Sequence, residues 1–257
     1  MDRGQEKLKT KDSTVSLLPF SFSDSREATP TGEGRMNLIH TVFEPHGAGP
    51  HPTLLALHGW GANALDLLGV APHLCGGTFL VLCPQGPLPV PLGGMGIGYG
   101  WFPITMGGMM DLRAVLAARG ELRTFLNEAL KRYPIDEKKI AVLGFSQGGV
   151  MAYSLALGEP ERFAALAVLS SWLPQDLLTE LPDVPASEQL PVLIQHGSRD
   201  ELVDVSRARQ SVERLRSLHI PITYREYEMG HEISARSLND LSTWLQEKVL
   251  SPIILVS

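Results

Sequence analysis

The sequence predicts an α/β fold, a mainly parallel central sheet with helices on both faces. Three observations carry that expectation. Short apolar runs recur at residues 53–57, 79–82, 140–143, 165–169 and 192–194, and they lack the alternation of a half-exposed strand, as strands buried on both faces do. Helical patterns separate them at 112–132, 148–157, 205–218 and 235–249, which implies βαβ units with right-handed crossovers. The residues able to do chemistry fall just after the apolar runs, where open α/β sheets bind ligands.

Taken in order, residues 1–13 are polar and are expected to fray, leaving 14–257 as one domain. Residues 37–43 read as a strand that ends in the turn-rich stretch 45–52. The run 53–57 is bounded by Pro52 and Gly59. Residues 84–110 form a segment long for a connection inside a compact domain, and such segments commonly serve as lids or binding walls. Its glycine-dense part, 93–100, matches neither a dinucleotide fingerprint nor a phosphate loop. A last strand-like stretch, 222–227, precedes the final helix. The apolar tail 253–256 is far too short to cross a bilayer.

Composition narrows the class. The chain has 257 residues, 44% hydrophobic and 19% charged, with a net charge of -6. That supports a sizeable core and gives no electrostatic grip on nucleic acid, which needs clustered Lys and Arg. No run reaches the roughly 18 apolar residues of a membrane span, and the charged first dozen residues do not resemble a secretory signal, so no stable membrane insertion is expected and the cytoplasm is the default location. Cys75 and Cys83 lack CxxC spacing and read as buried free thiols. Neither an H-E-x-x-H helix nor an acidic calcium loop is present, so no metal and no cofactor are expected.

Gly144-Phe145-Ser146-Gln147-Gly148 fits G-x-S-x-G, directly after a buried strand and before a helix. In that setting the motif is the nucleophile elbow of α/β hydrolases, a crowded turn that lifts the serine hydroxyl above the sheet. A serine N-cap between two glycines is the bland alternative. Serine is a weak nucleophile and needs a base poised near neutrality, the role histidine fills. His40, His46 and His51 precede the core, His73 lies mid-loop and His219 ends a helix. His231 follows the strand 222–227 and the turn Met229-Gly230, and it respects the chain order Ser, Asp, His. His196 competes by position and reads better as structural support. The carboxylate that orients the base is expected at Asp200, with Asp204 as fallback or as a helix cap. A pair of N–H donors for the oxyanion is expected from Gln147 and from Trp60 in Leu57-His58-Gly59-Trp60-Gly61, unless Trp60 is simply a core side chain. Trp101, Phe102 and Leu202 are expected to bind substrate.

Five segments together, Leu57-His58-Gly59-Trp60-Gly61-Ala62-Asn63, Trp101-Phe102, Gly144-Phe145-Ser146-Gln147-Gly148-Gly149, Gln195-His196-Gly197-Ser198-Arg199-Asp200 and Met229-Gly230-His231-Glu232, resemble the phospholipase/carboxylesterase family. The resemblance runs from about residue 53 to 245. It implies an α/β-hydrolase fold, a Ser146-Asp200-His231 triad and an oxyanion hole from the Trp60 and Gln147 N–H groups. Pro103, Asn63 and Glu201 stand where the family usually has Asp, an acidic residue and Pro; these bear on the acyl pocket and lid rather than on the triad. The expected activity is a serine carboxylesterase acting on small to medium acyl esters. A long-chain acyl thioesterase or lysophospholipase is the rival within enzymes, and a non-catalytic hydrolase-fold binding protein the rival outside them. The expected partner is a small-molecule ester, and a homodimer stays open.

Overall fold

A computed structural model describes residues 36–104, 110–180 and 189–251. The segment 1–13, the tail 253–256 and part of the 84–110 segment lie outside the described residues. Among those described the strands are β1 (His40–Phe43), β2 (His51–Leu57), β3 (Leu80–Pro84), β4 (Leu88–Pro91), β5 (Ile97–Gly100), β6 (Ile135–Phe145), β7 (Ala165–Leu169), β8 (Val192–Gly197) and β9 (Ile222–Tyr227). The helices are α1 (Leu112–Arg132), α2 (Gln147–Gly158), α3 (Gln175–Thr179), α4 (Val205–Ser217) and α5 (Ala235–Leu245).

Seven strands form one sheet in the order β1-β3-β2-β6-β7-β8-β9. Only the β1–β3 pairing is antiparallel. Strands β3, β7 and β8 are buried at every position, which is why their sequences run apolar without alternation. The period of two still sorts the core. Leu55 and Leu57 pack with α1, α2 and α4, while Leu54 and Ala56 pack on the other face with Leu241, Trp244 and Leu245 of α5. Helix α1 shows an apolar stripe through Val115, Ala118, Leu122, Phe125 and Ala129. Its start is capped by the Asp111 carboxylate, which accepts from the Arg113 and Ala114 N–H groups, and Pro134 follows its end. Helix α2 is apolar all round because it lies between the sheet and α1, and it is buried throughout except at its last residue, Gly158.

Three expectations need correction. The strand expected at 37–43 begins at His40, because Asn37 is drawn away to donate to Glu121 and Glu128 of α1. The segment expected as a loop at 84–110 carries a hairpin, β4 paired antiparallel with β5. The final helix stays α-helical only to Leu245 and continues as one π turn, Gln246–Leu250.

Candidate active site

Ser146 sits between β6 and α2 with φ 53° and ψ -119°. Positive φ is costly for a residue with a side chain, by about 1–3 kcal/mol, and it persists only where the surroundings enforce it. The surroundings here are specific. The Ser146 N–H donates to Leu169 O at 2.9 Å, and the Ser171 hydroxyl donates to Ser146 O at 2.6 Å. Behind the turn, a Cβ on Gly148 would lie 2.0 Å from Leu57 O, so only glycine lets α2 start this close to β2. The strained turn and the glycine belong to one tight junction, and Ser146 at its apex lines a cavity.

Asp200 follows β8 in a tight turn. Its Oδ1 accepts from the N–H groups of Leu202 (3.0 Å) and Val203 (2.8 Å), and its Oδ2 lies 2.8 Å from His231 Nδ1. The carboxylate is buried. The two loops meet because Gly197 has no side chain: a Cβ there would come within 2.3 Å of the Met229 and Gly230 carbonyl oxygens. Backbone bonds from Ser198 N to Tyr227 O and from Arg199 N to Met229 O close the junction. His231 lies ahead of the last helix, three residues before its cap Ser234, and packs against the Phe145 ring, 4.8 Å between centroids.

Asp204 caps α4, accepting from Ser206 N at 2.8 Å. His196 is fully buried beside the carboxylate; its Nε2 is 2.7 Å from Val203 O and 3.3 Å from Asp200 Oδ2. A proton on Nε2 serves both contacts. Burial pushes the His196 pKa down, against the opposing pull of the Val203 carbonyl and Asp200.

Ser146, Gln147, Trp60 and His231 line one cavity of about 520 Å³, the size of a small-molecule site. No hydrogen bond joins the Ser146 hydroxyl to His231 among the described residues. The N–H groups of Trp60 and Gln147 likewise take no acceptor from the described chain.

The sequence profile of the phospholipase/carboxylesterase family matches residues 39–249. This chain belongs to that family. An acyl-protein thioesterase 1 from Mycosarcoma maydis is 28% identical over 242 residues, covering 84% of this chain and 99% of the relative. Among solved structures, esterase PE8 superposes with a TM-score of 0.71 at 25% identity, covering 82% of this chain and 99% of that one. The Bacillus cereus carboxylesterase superposes at 0.69 and 23% identity, covering 82% and 94%. As a phospholipase/carboxylesterase member the protein is an α/β-fold serine hydrolase. No helix among the described residues is long and apolar enough to cross a membrane.

Within this family member the cavity wall differs from expectation in one place. Phe102 and Leu202 line the cavity, but Trp101 does not. Trp101 is buried behind it, where its indole N–H donates to His58 O at 2.9 Å and its ring packs on the His58 ring. The reason is Gln147. Its buried amide accepts from Trp101 N at 2.8 Å and donates to Phe102 O at 2.7 Å, pinning residues 101–102 to the start of α2. His58 is a second post. It accepts from Gly86 N at Nε2 and donates through Nδ1 to Gly59 O, and burial lowers its pKa.

Sequence reasoning missed several wall residues: Asp66, Ile104, Met110, Trp172 and Arg207. Trp172 could have been flagged, since Ser170-Ser171-Trp172 follows the buried strand β7 at the ligand-binding edge of the sheet. Arg207 could not, because a charge in the first turn of an amphipathic helix reads as solvated.

Proposed function

We propose that the protein is a serine carboxylesterase that hydrolyses small to medium acyl esters through an acyl-enzyme on Ser146. The reading rests on the 2.8 Å bond between Asp200 and His231 Nδ1 at the edge of the cavity that Ser146 also lines. With Nδ1–H donated to the carboxylate, Nε2 is the free basic nitrogen. It takes the proton as Ser146 Oγ attacks the ester carbonyl, then returns it to the leaving alkoxide. Catalytic hydrogen bonds often tighten only with substrate in place, so the Ser146–His231 contact forms in the complex. The Trp60 and Gln147 N–H groups bind the oxyanion, reinforced by the positive end of α2. Water activated by the same histidine then releases the acid and restores the serine.

Thioesters are the second reading, favoured by the similarity to a named acyl-protein thioesterase. They present the same carbonyl with a better leaving group. Labelling by a fluorophosphonate, followed by peptide mapping, tests the common mechanism: modification at Ser146, abolished in Ser146→Ala, is expected. Retained labelling in that variant would sink the assignment. A series of p-nitrophenyl esters separates the substrate classes, with a maximum at acetate or butyrate expected and one beyond octanoate favouring the long-chain alternative.

A further inference from the structure

Arg207 projects from the first turn of α4 into the wall of the Ser146 cavity. Its guanidinium carbon lies 3.8 Å from the centroid of the Trp172 ring. The same residue, with Met110 and Trp172, also borders a second cavity of about 330 Å³. Arg207 thus stands between the reacting serine and an adjoining space.

Several other arginines have their heads taken up by acceptors of the protein. Arg162, Arg209, Arg214 and Arg216 each donate to a carboxylate or carbonyl oxygen. The Arg207 guanidinium makes no hydrogen bond or ion pair with any described residue, although it is half-buried. Burial, and then repulsion from Arg214, push its pKa down. Both effects signal a cation whose charge is not offset by the protein. Arg214 lines the second cavity and donates to Leu173 O at 2.7 Å, so the positive potential is shared. Asp66 and Asp176 also line these spaces, but both are exposed and neither pairs with Arg207.

Stacking on an indole holds a guanidinium plane in place while leaving its N–H edges free. Those edges form a rigid fork that matches a carboxylate in two parallel hydrogen bonds. Among the described residues this arginine has packing for its guanidinium face and no acceptor for its N–H edges.

We propose that Arg207 reads a carboxylate on the substrate, so that the enzyme selects esters bearing an acid group within reach of the scissile carbonyl. This inference rests on the esterase reading above and names the substrate class for that site. Two matched pairs of esters test it, one with the charge in the acyl part and one with the charge in the alcohol part. The first is mono-p-nitrophenyl adipate against p-nitrophenyl hexanoate; the second is 3-acetoxybenzoate against 3-acetoxybenzamide. In at least one pair the anionic ester should have the higher kcat/KM. The anionic-to-neutral ratio should fall roughly 10- to 100-fold in Arg207→Gln, the range of a charge-assisted hydrogen bond, and only partly in Arg207→Lys. A ratio that Arg207→Gln leaves unchanged in both pairs overturns the inference and leaves the esterase reading standing.

A second readout needs no turnover. In the Ser146→Ala protein, calorimetric binding of the same anionic ester should weaken by a similar factor when Arg207→Gln is added. Equal affinity in the two proteins counts against the anion site whatever Ser146 does. Loss of fluorophosphonate labelling in the wild type counts against the esterase alone.

Discussion

The two sides of the cavity are built on different principles. On the reacting side, Asp200 has its oxygens filled by two backbone N–H groups and by the His231 and His196 imidazoles, and Ser146 is fixed at both its N–H and its carbonyl. On the facing wall, Leu202 is 76% exposed, Ile104 is 59% exposed, and Arg207 has no partner among the described residues. Groups that stabilise a transition state must be in position before substrate arrives, so they hang on strand ends and satisfied turns. Groups that recognise substrate can find their partner in it. On the proposed reading, the groups that orient the chemistry are satisfied within the protein, while Arg207 on the wall is not.

Substitution on the two sides should separate these roles by magnitude. Ser146→Ala is expected to lower kcat by about a million-fold. Asp200→Asn should cost about ten-thousand-fold, because the amide nitrogen would face a ring that needs an acceptor and would favour the wrong imidazole tautomer. Both are read from steady-state kinetics with p-nitrophenyl butyrate. Leu202→Ala on the wall should act mainly through KM, by roughly 30-fold or less, since one exposed side chain removes about 1–2 kcal/mol of apolar contact at most. A larger loss from Leu202→Ala than from Asp200→Asn would break the distinction.

Gln147 joins the sides, and it tests whether the wall is positioned by the reacting end. Gln147→Ala leaves the Trp101 N–H and Phe102 carbonyl unpaired in a buried place. At about 1–3 kcal/mol for such a group, a loss of about 2 kcal/mol is expected, or roughly 4–8 °C in Tm by calorimetry. Gln147→Glu should do worse near neutral pH, where its carboxylate would face the Phe102 carbonyl. An unaltered Tm in both variants would mean that residues 101–102 are held by other contacts.

How much of this was legible in the sequence follows the same division. The reacting end is written in local patterns: Gly144 to Gly148 after an apolar run, and Gly197 three residues before Asp200. A glycine with two carbonyl groups where its side chain would stand leaves a mark in any sequence. Much of the wall leaves none: beyond Phe102, Leu202 and Trp172, its side chains at 66, 104, 110 and 207 are brought together only by the folding of the chain. Trp101 was misread for a related reason. Its neighbour Phe102 faces the cavity, while Trp101 is held inward by the Gln147 clamp and by its own bond to the His58 carbonyl, partners distant in the sequence. The hairpin β4–β5 went unseen because its prolines and glycines read as a loop, and its pairing lies apart from the main sheet.

The smallest expected effect concerns the two buried histidines that support the reacting side. Burial lowers the pKa of both His58 and His196 in the folded protein. Unfolded, each ring takes up a proton as pH falls through about 6.5. Between that value and the lower folded one, the unfolded state binds more protons, so stability falls as pH falls. Above about pH 7.5 both states hold neutral rings and the contribution vanishes. The Tm should therefore decline from pH 7.5 to 5, and His196→Gln, whose amide can still donate toward Val203 O, should decline less steeply. Glu226 acts in a separate window. Arg209 and then Tyr224 hold its pKa near 2, so its support is complete above about 4.5 and is lost only as pH falls from there toward 2. That ion pair is largely exposed and solvent-screened, which makes the acid step below 4.5 the weaker of the two. A Tm that is flat from pH 7.5 to 5 at constant ionic strength would show that the folded imidazoles take up protons over the same range as the unfolded ones, and that burial does not hold them neutral.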